Sequence, residues 1–103
     1  MAHGDKHYTV YILANRKNGT LYVGVTSDLA TRVWQHRQKR HPGFTARYDV
    51  HKLVWHSTFD SVEAAIDFEK RLKKWRRAWK IALIEERNPD WEDLYPTLGP
   101  TNF

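Results

Sequence analysis

Two short apolar runs separated by turn chemistry constrain this chain more than any other feature. Val10-Tyr11-Ile12-Leu13 and Leu21-Tyr22-Val23-Gly24 flank Arg16-Lys17-Asn18-Gly19. Aromatic and β-branched side chains fit a half-buried pleated surface, and glycine tolerates positive φ in a turn. The segment therefore predicts a hairpin of strands Tyr8 to Ala14 and Thr20 to Val25, with Gly19 as the positive-φ residue. Side chains alternate across a strand, so registers that pair Asn15 with Thr20 or Tyr22 put Tyr11 and Tyr22 on one face. A two-residue Asn18-Gly19 turn leaves the tyrosines about 13 Å apart, whereas a four-residue loop over 16–19 sets Tyr11 opposite Gly24 and shortens the offset to about 7 Å. The longer loop is expected, with Gly24 leaving open space beside Tyr11. The phenols then either cooperate in chemistry or are amphipathic core residues whose hydroxyls find a partner.

Downstream, Thr26-Ser27-Asp28 can cap a helix running to about Gln38, which Pro42 and Gly43 break. A polar loop follows and leads to a third strand at Leu53-Val54-Trp55-His56. Asp60, with Glu63 three residues on, has the form of a capping box opening a helix to about Trp75. A further helix, about Ala78 to Glu86, stops at Asn88-Pro89. The expected fold is α+β, a small three-stranded antiparallel sheet flanked by helices in the order β-β-α-β-α-α. Its 103 residues suit a single domain over 1–103, with 1–6 an N-terminal tail and 88–103 an irregular C-terminal segment.

Composition removes several classes of function. There is no cysteine, so a disulfide framework or Cys-type zinc site is excluded, and the six histidines lack H-E-x-x-H spacing. The first seven residues carry no apolar signal region, and no run approaches the roughly 18 apolar residues of a membrane span. A soluble, cytoplasmic protein with no membrane partner is expected. The formal net charge is +5, with nine Lys/Arg against three acids up to Phe59. Later, Lys70, Arg71, Lys73, Lys74, Arg76, Arg77 and Lys80 form a basic run that an acidic stretch follows. One surface suits an anion, for which nucleic acid is the common partner of a basic, aromatic-rich domain. The alternative is that these cations solvate a helix.

Helical periodicity exposes two anomalies. Leu29, Arg32, Val33 and His36 share a stripe of the first helix, so an arginine and a histidine sit on the face that should be buried. Buried charge is costly unless paired, and such violations concentrate at functional sites. A structural salt bridge for Arg32 and a satisfied core histidine for His36 are the competing readings. On the long helix, Val62, Ala65, Ile66, Phe68 and Leu72 form the apolar side, and Glu69 projects from its shoulder. Glu69 can pair with Lys73 at i+4, or it can help hold Mg²⁺, which commonly uses one or two carboxylates with water and phosphate. A base candidate, a phosphate clamp and a carboxylate are what phosphodiester cleavage needs.

In their order and spacing, VYIL, NGTLYVG, Arg32 within DLATRVWQHR and Glu69 within FEKRLKKW make a chain that resembles the GIY-YIG nuclease superfamily over about Tyr8 to Trp79. It is most similar to small stand-alone members related to the nuclease module that opens the excinuclease chain. The resemblance implies a small sheet with surrounding helices and metal-dependent cleavage of DNA. Tyr11 matches the tyrosine ending the first tripeptide, and Tyr22 the one opening the second. Arg32, His36 and Glu69 match the catalytic arginine, the frequent helix histidine and the metal-binding glutamate. Thr9-Val10-Tyr11 lacks the first tripeptide's glycine, and Val25 stands where excinuclease-type modules place a lysine. Asn88 matches either a late family asparagine or a helix terminus.

From this likeness, Glu69 is expected to hold one Mg²⁺ or Mn²⁺ ion and Arg32 to bind the scissile phosphate. Tyr22 is the first choice for the group that takes a proton from water, with Tyr11 or His36 as alternatives. A phenol is a weak base at neutral pH, so that role needs positive charge nearby. Lys70, Lys73, Lys74 and Arg77 are expected to bind phosphates, Arg76 and Lys80 to add to them, and Trp75 and Trp79 to anchor their helices. In the loop after Gly43, Phe44, Thr45, Arg47 and Tyr48 are candidates for touching a distorted or single-stranded substrate. Three functions compete: a metal-dependent DNA endonuclease with structure-selective or weakly specific cutting, a non-catalytic nucleic-acid-binding module, and an RNA-directed nuclease or binder.

Overall fold

The structure is a computed structural model that describes residues 7–38 and 43–98. Three strands, β1 (Tyr8–Ala14), β2 (Leu21–Thr26) and β3 (Lys52–Phe59), form one antiparallel sheet in the order β2-β1-β3. Helix α1 (Leu29–Arg37) and the short α2 (Phe44–Arg47) lie between β2 and β3. Helices α3 (Val62–Lys74) and α4 (Arg77–Arg87) follow β3, and a 3-10 turn spans Tyr95–Leu98. The α+β architecture is the expected one, with α2 an addition where the sequence suggests a polar loop. Four residues are too few for helical periodicity to announce themselves.

Central placement of β1 explains its composition. Val10, Ile12 and Ala14 point into a core completed by Val23, Trp55, Ala65, Leu72, Ile84 and Trp91. Tyr11 and Leu13 join Val33, Val50 and Leu53 in a second core, against which Tyr22, Leu29, Leu94 and Tyr95 pack. Alternate residues of one strand thus feed two cores, one with α3 and α4 and the other with α1 and the 3-10 turn. In β3 the ladder to β1 shifts register, Ile12 facing Trp55 and Leu13 facing Leu53, so Val54 is the extra residue of a bulge. The bulge divides an apolar run between faces, sending Leu53 to the second core and Val54 and Trp55 to the first.

The hairpin has the longer loop. Asn15 N–H donates to Thr20 O at 3.3 Å, and Tyr11 faces Gly24 across the ladder. Positive φ falls on Asn18 (φ 58) instead of Gly19. Gly19 is required for a different reason: a Cβ there would meet Asn15 Oδ1 at 2.0 Å. Asn15 Oδ1 instead accepts from Thr20 N–H at 2.9 Å and ties the loop together.

Helices α1 and α3 are each capped at the start by an oxygen. Asp28 caps α1, accepting from Thr31 N–H, and Thr26 Oγ1 accepts from Asp28 N–H. Ser61, one residue after the expected Asp60, caps α3 and accepts from Ala64 N–H at 3.0 Å. Asn88 ends α4 as a terminus: it is buried, its Nδ2 donates to Val54 O and Glu92 O, and its Oδ1 accepts from Glu92 N–H. The described part of the C-terminal segment is tied down as well. Trp91 is fully buried, Leu94 N–H donates to Leu53 O at 2.7 Å, and Asp93 joins Arg37 of α1 to Leu53 of β3. The N-terminal tail 1–6 and residues 99–103 lie outside the described residues. Among the described residues, no helix is long and apolar enough to cross a membrane.

Candidate active site

Tyr11 sits mid-strand in β1, and Gly24 opposite it supplies the room for its ring. A Cβ at Gly24 would stand 2.5 Å from both the Tyr11 hydroxyl and Cζ, so the space expected beside Tyr11 is filled by the phenol itself. The ring is 1 % exposed, and its hydroxyl lies 3.2 Å from His36 Nε2. One turn after Arg32 on α1, His36 is buried too, and its Nδ1 lies 2.9 Å from Thr45 Oγ1. In one tautomer Tyr11 donates to Nε2 while Nδ1–H donates to Thr45; in the other, Nε2–H donates to Tyr11 while Thr45 donates to Nδ1. Either way both ring nitrogens are engaged.

Tyr22, two residues before Gly24 on the same face, completes a trio. Its ring centroid is 6.3 Å from that of Tyr11 and 5.3 Å from that of His36. Unlike Tyr11, it is only half-buried. The aromatic array continues outward: Phe44 stacks on Tyr22 at 6.4 Å, and Tyr48 lies 4.9 Å from Phe44. Phe44 and Tyr48 are exposed, and the Arg47 guanidinium stands 5.7 Å from the Tyr48 ring. Thr45, a substrate contact by expectation, is buried as the partner of His36.

Electrostatics bring in the remaining two residues. Burial first, and the Tyr22 phenol second, hold the Tyr11 hydroxyl far above the ordinary tyrosine range; the Arg32 charge lowers its pKa and the Glu69 charge raises it. Arg32 and Glu69 therefore act on one hydroxyl, although α1 and α3 pack into different cores. Among the described residues the Arg32 side chain makes no hydrogen bond or ion pair, its backbone N–H alone donating to Asp28 O, so a structural salt bridge is not found there. Glu69 is 8 % exposed, and Lys73 Nζ donates to its Oε2 at 2.6 Å. Among the described residues no three His, Asp or Glu side chains could share a metal. An ion at Glu69 would take its other ligands from water and a substrate phosphate, a donor set that fits Mg²⁺ or Mn²⁺.

The family of the chain is shown by its likeness to known proteins. The family model of the GIY-YIG catalytic domain matches residues 7–82. The chain belongs to the GIY-YIG family. A UPF0213 protein of Staphylococcus saprophyticus is 33 % identical over 82 residues, covering 80 % of this chain and 98 % of that protein. A UPF0213 protein of Bacillus pumilus is 30 % identical over 82 residues, covering 80 % and 84 %. The solution NMR structure of a UPF0213 protein from Bacillus halodurans superposes with a TM-score of 0.53 at 28 % identity, covering 92 % of this chain and 99 % of that one. The GIY-YIG domain is a nuclease domain, and the chain is thereby placed among small stand-alone members of the family.

The basic residues of this GIY-YIG chain have different surroundings. Lys70, Lys74 and Arg47 are exposed. Lys73 is paired with Glu69. Arg77 grips the hairpin turn, its Nη2 donating to Asn18 O at 2.7 Å and to Gly19 O at 2.6 Å. Trp75 packs on the first core, but Trp79 is 54 % exposed, with Arg76 over its ring, so only the first of the two anchors. Val25, at the family's lysine position, packs toward the first core, on the opposite face from Tyr22.

Proposed function

We propose that this domain is a divalent-metal-dependent endonuclease that hydrolyses phosphodiester bonds in DNA and selects by structure more than by sequence. The observation that carries the reading is the convergence on Tyr11, whose hydroxyl meets His36 and feels the charges of Arg32 and Glu69. Tyr22 takes the proton from the attacking water. Tyr11 is held protonated by burial, and His36 has both nitrogens engaged, so these two position Tyr22 and the substrate. Arg32 presents a planar, permanently charged donor to the scissile phosphate as negative charge develops. Glu69 holds one Mg²⁺ or Mn²⁺ ion, which when bound supplies further positive charge against the phosphate.

Selection by structure follows from the exposed aromatics. Phe44 and Tyr48 continue the stack that begins at Tyr22, and a base freed from its duplex partner can stack on them. The Glu69–Lys73 pair favours a second reading, a nucleic-acid-binding module without catalysis, because it gives the carboxylate a cation of its own. Nicking of supercoiled plasmid separates the two. The wild type is expected to nick with Mg²⁺ or Mn²⁺ and stop with EDTA, and Glu69→Gln to bind DNA without cutting. Undiminished cutting by Glu69→Gln would overturn its assignment, and no cutting by the wild type on duplex, flap, branched or single-stranded substrates would favour the binding module.

A further inference from the structure

Away from the tyrosine–histidine trio, the hairpin turn and the start of α4 enclose an open groove of about 490 Å³. Arg16, Arg77 and Lys80 line it with Asn18, Gly19 and Thr20, and no carboxylate is among its lining residues. Arg77 is held by the two turn carbonyls through a single guanidinium nitrogen, which leaves its other two nitrogens as donors. Lys80 is held as well, its Nζ donating to Lys73 O at 3.1 Å. Burial first, and the Arg77 charge second, depress the Lys80 pKa. Like charges fixed together without a counter-charge oppose folding, and an anion arriving there relieves the repulsion.

We propose that this groove is a phosphate-binding subsite, taking a backbone phosphate of the nucleic acid at a distance from the scissile bond. The inference rests on the nuclease reading for the word scissile and on the groove itself for the rest. Arg16 lies in the hairpin loop, two residues beyond the end of β1 at Ala14. Leu21 and α4 pack on the first core and the two tyrosines on the second, so the groove serves a phosphate outside the stretch that is cut. Thr20 adds a hydroxyl donor, and Arg77 joins the turn to α4 so that the cations keep their spacing.

The test is duplex binding by fluorescence anisotropy across a salt series, comparing wild type with Arg16→Gln and with Arg16→Gln/Lys80→Gln, each checked for folding by thermal melt. Arg16 is an exposed turn residue, so the single variant keeps the test open if the double variant unfolds. The log–log salt slope is expected to fall by about 0.9 for each phosphate that is no longer neutralised. Among single methylphosphonates walked along the duplex, at least one away from the cut should weaken binding by the wild type and leave binding by the variant unaltered. A folded Arg16→Gln variant with the wild-type slope, or a series of methylphosphonates in which none away from the cut distinguishes the wild type from the variant, overturns the subsite. If the wild type nicks plasmid while the slope is unchanged, the subsite fails and the nuclease reading stands; if the slope falls but nothing is nicked, the reverse holds.

Discussion

The Tyr11 ring occupies the place where a side chain at Gly24 would be, across the ladder that joins β1 to β2. The residue that gives the second tripeptide its final glycine is therefore what allows the first tripeptide's tyrosine to reach His36. Gly24→Ala puts a methyl 2.5 Å from a ring that is walled in on its other sides. The ring must turn away, which breaks the hydroxyl–His36 contact. Overpacking of this kind costs about 1–3 kcal/mol, so urea denaturation should show a loss of that size, with cleavage falling further than stability explains. Wild-type stability in Gly24→Ala would mean that the Tyr11 ring has another place to go.

On the proposed reading, Lys73 and the divalent ion compete for Glu69. The Lys73 side chain is 55 % exposed, and exposed ion pairs contribute about 0.2–1 kcal/mol, so an arriving ion displaces the ammonium at small cost. Lys73→Met should lower the Mg²⁺ concentration for half-maximal cleavage by up to about five-fold, the equivalent of the upper end of that energy. A metal titration on a saturating oligonucleotide reads the shift directly. An unchanged or raised metal requirement would show that Lys73 does not oppose the ion.

His56 faces Tyr11 across the β1–β3 ladder, and burial first and the Arg87 charge second depress its pKa below the ordinary 6.5. The unfolded chain then protonates first as pH falls, so it binds the extra proton and gains on the native state. Stability from His56 is present above about pH 6.5 and is lost on acidification until the folded form titrates as well. Denaturant midpoints at pH 8 and pH 5.5 should differ less in His56→Gln than in the wild type. An equal pH dependence in both proteins would remove His56 from this account.

Much of this arrangement is legible in the chain because alternation and helical spacing are strong local signals. The four-residue loop, the common face of Tyr11 and Tyr22, and the Leu29–Arg32–Val33–His36 stripe all follow from periods of 2 and 3.6. What escapes is set by tertiary contact or by choices between neighbours of similar chemistry. Asp60 and Ser61 both cap well, and the φ/ψ at which the chain leaves β3 decides for Ser61. Asn18 tolerates the left-handed region nearly as glycine does, which frees Gly19 to make room for Asn15. The bulge at Val54 hides in a run of three apolar residues that reads as an ordinary buried strand. Thr45 as the partner of His36, and Arg77 as the clamp on a turn 58 residues earlier, have no local signature.

The central claim is that Tyr22 removes the proton of the attacking water in a site that Tyr11 and His36 hold in place. Its most direct measurement is single-turnover cleavage of an end-labelled DNA substrate by Tyr22→Phe at saturating protein and Mg²⁺, alongside its DNA affinity and melting temperature. Phenylalanine keeps the ring that packs on His36 and Phe44, so affinity and melting should stay near wild type. The cleavage rate is predicted to fall by at least ~10²-fold, the scale set by removal of a general base. A Tyr22→Phe protein that binds, melts and cuts like the wild type would contradict the account and move the proton to His36 or Tyr11.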